Sequence, residues 1–141
     1  MEYIKIEGKI KLLYDNALIG YKNAYAPYSN FQVGAALLLK NGKVFYGSNV
    51  ENASFGLCNC AERSTLFAAY SQGVRKDDID SFLIVGKTKD VISPCGACRQ
   101  VMNELLNLDT PVYLTNLDGK CVKYLNKELL PYNFTGDNLN E

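Results

Sequence analysis

Two short segments of the sequence, residues 58–63 and 94–100, each carry two cysteines where a helix is predicted to begin. Cys95 and Cys98 are three residues apart, and on the first turn of a helix that spacing puts both sulfurs on one face. Unpaired backbone N–H groups and the positive end of the helix dipole favour thiolate over thiol there. If the helix that follows Cys60 points its start at the same place, a third thiolate joins the pair. The fold must then bring two helix starts together.

The chain contains no histidine, so it lacks the commonest metal ligand and the commonest general base. Its five cysteines follow no secretory signal, which argues against a disulfide framework and favours metal binding or catalysis. A zinc ion held by the thiolates of Cys60, Cys95 and Cys98 keeps its fourth tetrahedral position open for water, as a catalytic site requires. Zinc lowers the pKa of that water toward about 7, and Glu62 is placed to take its proton. We therefore expect one catalytic zinc, with hydroxide ready to attack an electrophilic carbon.

Two arginines flank this predicted metal site. Three thiolates, Zn²⁺, hydroxide and a carboxylate carry formal charges that sum to about minus three, so positive charge is needed nearby. Arg63, next to Glu62, and Arg99, next to Cys98, are the candidates. We expect them to donate hydrogen bonds to the thiolates and so restore the Lewis acidity that sulfur ligation weakens.

Cys58 allows a different zinc site. Together with Cys60, Cys95 and Cys98 it could close a four-thiolate structural site with no position for water. Structural knuckles usually space their cysteines by two to four residues, and such a site has no use for Glu62, so we disfavour it. A redox function of the Cys95–Cys98 pair is also disfavoured, because no thioredoxin-type βαβ pattern precedes the segment.

Charge and hydropathy restrict the partners and the compartment. Fifteen basic residues balance fifteen acidic ones without a Lys/Arg cluster, which argues against a nucleic-acid partner and suits a small, nearly neutral ligand. Residues 1–7 mix charges of both signs, unlike a signal peptide, and no apolar run approaches the length of a membrane span. We expect a cytoplasmic protein with no membrane partner and with one domain over residues 1–141.

Apolar periodicity and turn residues predict alternating helices and strands. Residues 6–25 have the spacing of an amphipathic helix that ends before Pro27, Asn41-Gly42 predicts a hairpin, and Cys121 is expected to be a small buried strand residue. We predict helices over 6–25, 60–70, 95–106 and 125–130, and strands over 31–39, 43–46, 82–85, 112–115 and 121–124. Some strands are linked by helices and others by tight turns, which predicts a three-layer α/β/α fold with a central mixed five-stranded sheet.

Five short motifs are spread along the chain. They are Phe-Gln-Val-Gly-Ala-Ala at 31–36, Asn-Val-Glu-Asn-Ala-Ser at 49–54, Cys-Ala-Glu-Arg at 60–63, Pro-Cys-Gly-Ala-Cys-Arg-Gln-Val at 94–101, and Leu-Leu-Pro at 129–131 followed by Phe134. In order and spacing they resemble the motifs of the small homotetrameric cytidine deaminases. The resemblance implies hydrolytic deamination of cytidine and 2′-deoxycytidine in pyrimidine salvage, with attack at C4 and Glu62 as the proton shuttle to N3 and then to the departing amine. The products would be uridine or 2′-deoxyuridine, and ammonia.

The same resemblance implies residue roles and an oligomer. Asn49 and Glu51 would hydrogen-bond the ribose 3′-hydroxyl, Phe31 would pack against the base, and Ala61 would contact the substrate. Phe134 would reach into a neighbouring subunit's site and stack on the pyrimidine, which implies a homotetramer with one Zn²⁺ per subunit and active sites at subunit interfaces. A polar pair built for a sugar hydroxyl favours the nucleoside over the free base.

Two other functions stay open. One is deamination of another amine, such as an aminopyrimidine antibiotic, which would not need Asn49-Val50-Glu51 in this form. The other is a non-catalytic, zinc-stabilised binding module with the closed four-thiolate site described above. Judged without the resemblance, Phe31 and Phe134 would be core residues. Phe55 stands where many members of the family carry Tyr, so a hydroxyl-mediated contact across the subunit interface is in question in this chain.

Overall fold

The computed structural model describes residues 2–140, in which helices and strands alternate as the sequence predicts. The helices are α1 (Lys9–Asn23), α2 (Ala61–Ser71) and α3 (Gly96–Leu105), and the strands are β1 (Val33–Leu39), β2 (Val44–Ser48), β3 (Ile79–Gly86), β4 (Pro111–Asn116) and β5 (Cys121–Leu125). Short 3-10 helices cover Phe55–Leu57, Lys76–Asp78, Asn126–Leu129 and Gly136–Leu139. The sheet order is β2-β1-β3-β4-β5, with β3 and β4 parallel and the other neighbours antiparallel. The predicted mixed five-stranded sheet is confirmed.

Strand β1 shows why the sheet needs helices on both faces, because all of its residues are buried. Leu37 packs into one core with Leu66 of α2 and Met102 of α3. Its neighbour Leu38 packs into a second core with Leu13 of α1. Successive strand residues point to opposite faces, so the two cores lie on opposite sides of the sheet and the predicted three layers are confirmed. Within residues 2–140, no helix is long and apolar enough to cross a membrane.

The closest contacts between helix α1 and the sheet lie at glycine residues, which have no side chain. A Cβ atom on Gly34 of β1 would lie on the carbonyl oxygen of Ala17 and 2.5 Å from the backbone nitrogen of Tyr21. A Cβ atom on Gly20 of α1 would meet the carbonyl of Gly47 in β2. These neighbours are backbone atoms of packed elements, so they cannot rotate away as a side chain could. The close packing of α1 on β1 and β2 therefore requires glycine.

The structure corrects several predicted boundaries. Helix α1 begins at Lys9 rather than at residue 6, because Gly8 has a φ of 58° and the chain before it is extended. There the N–H of Ile4 donates to a carbonyl of β5 at 2.9 Å, which holds the N-terminal segment beside the sheet. Residues 31–32 lie outside β1, and the helix predicted over 125–130 is a short 3-10 helix instead. Apart from this last helix, the interiors of the predicted elements are right, and the errors fall at their ends.

We predict that Gly34→Ala lowers the free energy of unfolding by about 3 kcal/mol, because the added methyl group forces α1 away from β1. Gly56→Ala is the matched control. A Cβ atom there would meet nothing within 4 Å, so the change should stay within about 0.5 kcal/mol. Urea unfolding of both variants gives the comparison, and equal stability of the two would contradict the packing described here.

Candidate active site

Three cysteine sulfurs meet where α2 and α3 begin. The Sγ atoms of Cys60, Cys95 and Cys98 all lie within 4.8 Å of one another, and those of Cys60 and Cys95 are 3.9 Å apart. Cys60 is the N-cap residue of α2 and Cys95 is that of α3, and the Cys95 sulfur accepts from the Cys98 N–H at 3.5 Å. Thiolates are ligands that Zn²⁺ prefers, and helix N-termini stabilise their charge. The donor set therefore fits zinc, with three protein ligands on one side of the ion.

The remaining two cysteines lie outside this cluster. The sulfur of Cys58 contacts the backbone of Asn52, 3.3 Å from its nitrogen and 3.6 Å from its oxygen. The metal-ligating group found within residues 2–140 contains Cys60, Cys95 and Cys98 without Cys58. Cys121 is fully buried in β5, and burial raises the pKa of its thiol to about 11. The geometry thus gives no support to the closed four-thiolate site.

The guanidinium group of Arg63 supplies positive charge to the three-cysteine cluster. Its Nη2 donates to the Cys60 sulfur at 3.4 Å. Hydrogen bonds from the Cys98 thiol and from Arg63 lower the pKa of Cys60 to about 5, while the bond to Cys60 and burial raise that of Cys98. A metal ion would displace the proton that this pair shares. Among the atoms of residues 2–140, the buried Nε of Arg63 has no hydrogen-bond acceptor, which fits a site that gains thiolate charge when a cation binds.

The expectation that Arg99 also donates to the sulfurs is wrong for this chain. Its Nε donates to the Pro94 carbonyl at 2.8 Å, its Nη1 to the Leu129 carbonyl at 2.9 Å, and its Nη2 to the Ser93 hydroxyl. Arg99 directly follows Cys98 in α3, but it points along the helix toward the loop before Cys95. It therefore fixes that loop rather than the charge of the ligands.

Glu62 lies on the first turn of α2, only 5% exposed. Burial raises the pKa of its carboxyl group, and the negative charge of Cys60 adds to the effect. The side chain still borders the cavity in front of the cysteines. A carboxyl group with a raised pKa, facing a small cavity, is placed to take up a proton and to release it.

One cavity of about 420 Å³ lies in front of the cysteines, a size that suits a small ligand. Seven of the residues singled out from the sequence line it: Phe31, Asn49, Glu51, Cys60, Ala61, Glu62 and Cys95. The other wall residues are Ser29, Val33, Thr88, Val91, Ile92 and Ser93, which the sequence analysis did not assign. Four distant motifs therefore meet around a single space.

The polar side of the cavity is ordered by hydrogen bonds to the backbone. Asn49 Nδ2 donates to the Phe31 carbonyl, and its Oδ1 accepts from the Val33 N–H, both at 2.8 Å. Glu51 accepts from the hydroxyl and the N–H of Ser29, and these bonds lower the pKa of its carboxyl group. In the sequence, only its position in the turn after α1 could have pointed to Ser29 as a residue of the site. Glu51 thus stays ionised and Asn49 fixes the position of Phe31.

Phe134 does not line the cavity of its own chain. The residue is 55% exposed, and its carbonyl oxygen accepts from Gln100 Nε2 at 3.0 Å. It lies beside α3 on the C-terminal segment that follows Leu129. Of the substrate-contacting residues expected from the sequence, Phe134 alone is not brought to this cavity within the described chain.

Comparison with known proteins decides the family. The model of the cytidine and deoxycytidylate deaminase zinc-binding region matches residues 9–115. The chain belongs to this deaminase family. A cytidine deaminase of Halalkalibacterium halodurans is 52% identical over 131 residues, which cover 93% of this chain and 98% of that protein. A crystal structure of cytidine deaminase from Burkholderia pseudomallei superposes with a TM-score of 0.85 at 51% identity, over 88% of this chain and 98% of that one. Cytidine deaminase from Mycobacterium tuberculosis gives a TM-score of 0.75 at 35% identity, over 92% and 99%.

For this deaminase we predict that Cys58→Ser retains about one zinc per chain, whereas Cys98→Ser loses most of its zinc. The reason is that the sulfur of Cys58 is hydrogen-bonded to the backbone of Asn52 and does not belong to the three-cysteine cluster. Metal analysis of the two purified variants after dialysis against a weak chelator measures the difference. Loss of zinc from Cys58→Ser would restore the closed four-thiolate site.

Proposed function

We propose that this protein catalyses the zinc-dependent hydrolytic deamination of cytidine and 2′-deoxycytidine to uridine and 2′-deoxyuridine, with release of ammonia. One observation carries the proposal. Cys60, Cys95 and the buried Glu62 border the same cavity as Asn49 and Glu51, and the sulfur of Cys98 lies within 4.8 Å of the other two sulfurs, so the metal ligands, the proton carrier and the polar groups meet at one small cavity. The homologous cytidine deaminases named above support the substrate class. One domain and a cytoplasmic location stay predictions from the sequence.

The chemistry divides between the metal and the chain. Zinc bound by Cys60, Cys95 and Cys98 supplies a Lewis acid that lowers the pKa of water. Glu62 takes the proton from the water that attacks C4 and passes it to N3 of the cytosine ring. It then carries the second proton of the water to the exocyclic amine, and ammonia leaves as the C4–N4 bond breaks. Its raised pKa suits both steps, since the group must be basic toward water and acidic toward nitrogen.

We predict that Glu62→Gln lowers kcat on cytidine by at least about a hundredfold, because the amide cannot carry the proton. Zinc content should stay near one per chain, since Glu62 is not a ligand in the cluster. Loss of the cytosine absorbance of cytidine follows the reaction, with Glu104→Gln, an exposed residue of α3, as the control. Wild-type turnover by Glu62→Gln would exclude this mechanism, and a zinc-loaded wild type that leaves cytidine unchanged would exclude the function.

Arg63 is proposed to tune the metal through Cys60. Its guanidinium withdraws negative charge from the sulfur at 3.4 Å, and its buried Nε has no acceptor among the described residues. Hydrogen bonds of this kind to metal ligands are commonly worth about tenfold to a hundredfold in affinity or activity.

We therefore predict that Arg63→Gln lowers zinc retention or kcat about tenfold, while Arg63→Lys, which keeps the charge, loses less. Zinc retention is measured by chelator competition and kcat by the absorbance assay. Unchanged zinc retention and unchanged turnover in Arg63→Gln would contradict the role.

Asn49 and Glu51 are proposed to hold the ribose 3′-hydroxyl, with Phe31 against the base and Ala61 beside the substrate. All four residues line the cavity. The ionised Glu51, which already accepts hydrogen bonds from Ser29, is a strong acceptor for a further hydroxyl group, and a ligand without a sugar forgoes that hydrogen bond. This favours the nucleoside over the free base and over an aminopyrimidine that lacks ribose.

We further propose a homotetramer with active sites at the subunit interfaces. Phe55 and Leu57, in the 3-10 helix that follows Glu51 in the chain, are apolar and 74% and 70% exposed. Phe55 packs edge-to-face on Tyr28, and the two line a shallow concavity that also touches Glu51. Large apolar side chains exposed close together are typical of a protein contact surface. The half-exposed Phe134 would enter the cavity of the next subunit and stack on the base.

We predict that Phe134→Ala loses about tenfold in kcat/KM, the usual scale of one base–aromatic stacking contact. Co-expression of Phe134→Ala with Glu62→Gln should restore activity above that of either alone, because mixed tetramers contain sites with both groups intact. The control partner is the double variant Glu62→Gln/Phe134→Ala, which has no ring to donate and should restore nothing. Equal activity with the two partners would place Phe134 and Glu62 in the same chain's site.

A further inference from the structure

The segment of residues 129–134, called the C-terminal strap below, is held to α3 by a small set of polar side chains. Gln100 Nε2 donates to the Phe134 carbonyl at 3.0 Å, and Asn103 Nδ2 donates to the same oxygen at 3.4 Å. Asn133 Nδ2 donates to Asn103 Oδ1 at 3.0 Å, so both the nitrogen and the oxygen of the Asn103 side-chain amide are hydrogen-bonded to the strap. Within residues 2–140, the hydrogen bonds that join residues 131–134 to the rest of the chain all involve Gln100 or Asn103.

Apolar packing contributes little to this part of the strap. Residues 131, 132 and 134 are exposed and 133 is half-buried. Between the strap and α3 lies a polar cavity of about 310 Å³, bordered by Asn103 and Asn133. A segment with few buried apolar contacts takes its position from its hydrogen bonds. Asn103, by contrast, is only 8% exposed, so it forms a fixed point to which the strap is attached.

Two consecutive residues of α3, Arg99 and Gln100, hold the strap, and Arg99 also holds the loop before Cys95. Arg99 joins the Leu129 carbonyl at the start of the strap to the carbonyl of Pro94, which directly precedes the ligand Cys95. Gln100, the next residue, bonds the Phe134 carbonyl at the other end. Because these side chains belong to the helix that also carries Cys98, the strap keeps a fixed distance from the metal ligands of its own subunit.

The hydrogen bonds to this end of the strap are made to the backbone oxygen of Phe134, which leaves the side chain of Phe134 available for another contact. Two donors fix the backbone oxygen of Phe134, while the residue as a whole is 55% exposed. A ring held by its own backbone loses little further freedom when it binds, so less affinity is spent on ordering it. We propose that Gln100 and Asn103 are positioning residues that hold Phe134 at the height and direction from which it reaches the nucleoside in the neighbouring site. This inference rests on the proposed function, in which Phe134 contacts the base.

The expected signature is a change in substrate binding without a change in chemistry. Gln100 and Asn103 touch neither the cavity nor the sulfurs, so kcat and zinc content should hardly change. Gln100→Ala/Asn103→Ala should raise the KM for cytidine about tenfold, as Phe134→Ala does, because both remove the same contact. Glu104→Ala, an exposed change one turn along α3 from Gln100, is the matched control and should behave as wild type.

A double-mutant cycle separates positioning from general damage. In the Phe134→Ala background, Gln100→Ala/Asn103→Ala should change KM by less than about twofold, since residues that act through one ring are not additive. If the effects multiply instead, or if Gln100→Ala/Asn103→Ala has the wild-type KM while Phe134→Ala is impaired, the proposal is wrong. Gln100→Ala alone, at a position that is not in the core, decides the result if the double variant fails to fold.

Failure of the underlying function gives a different pattern. If the wild type does not deaminate cytidine, the proposed function is wrong whatever the strap does. If the wild type is active and Phe134→Ala keeps the wild-type KM, the deaminase assignment stands, but the role of Phe134 and the positioning role of Gln100 and Asn103 are both overturned.

Discussion

The meeting of two helix N-termini is the constraint on which the rest of the structure depends. Cys60 caps α2, Cys95 caps α3, and Cys98 lies one turn into α3. Each helix leaves its first N–H groups unpaired and presents the positive end of its dipole to the sulfurs. The three sulfurs lie within 4.8 Å of one another, and ionisation of all three calls for that stabilisation together with a cation. The crossover from β3 through α3 to β4 and the packing of α2 against α3 both serve to keep these two helix ends together.

The position of Glu62 follows from the same arrangement. The proposed ligand Cys60 is the N-cap residue of α2 and the proposed proton carrier Glu62 lies two residues further on, so the helix sets their separation without help from a loop. The polar groups proposed to bind the sugar come instead from irregular chain, at Asn49 and Glu51, and they are held by hydrogen bonds with the backbone of residues 29–33. Regular elements thus place the chemistry, and hydrogen-bonded loops shape the substrate pocket.

Local sequence patterns were sufficient for the element order and for the cysteine cluster. A run such as β1 is apolar throughout because both of its faces are covered, and the Cys95–Cys98 spacing is meaningful only on a helix start. The hydrogen-bond partners of Arg99 could not be predicted from local sequence patterns. Its position beside Cys98 indicates a ligand contact, but the choice between a sulfur and the Leu129 carbonyl depends on where a segment thirty residues later in the chain packs. The boundary at Gly8 failed for a similar reason, since pairing of Ile4 with β5 outweighs local helix propensity.

An open zinc site is the central claim, and X-ray absorption at the zinc edge tests it most directly. In the zinc-loaded wild type we expect three sulfur neighbours at about 2.3 Å and one oxygen or nitrogen neighbour at about 2.0 Å. A nucleoside analogue that binds the site should change the light-atom shell and leave the sulfur shell as it is. Four sulfur neighbours at about 2.3 Å, unchanged by the analogue, would mean that Cys58 closes the site and would contradict the account.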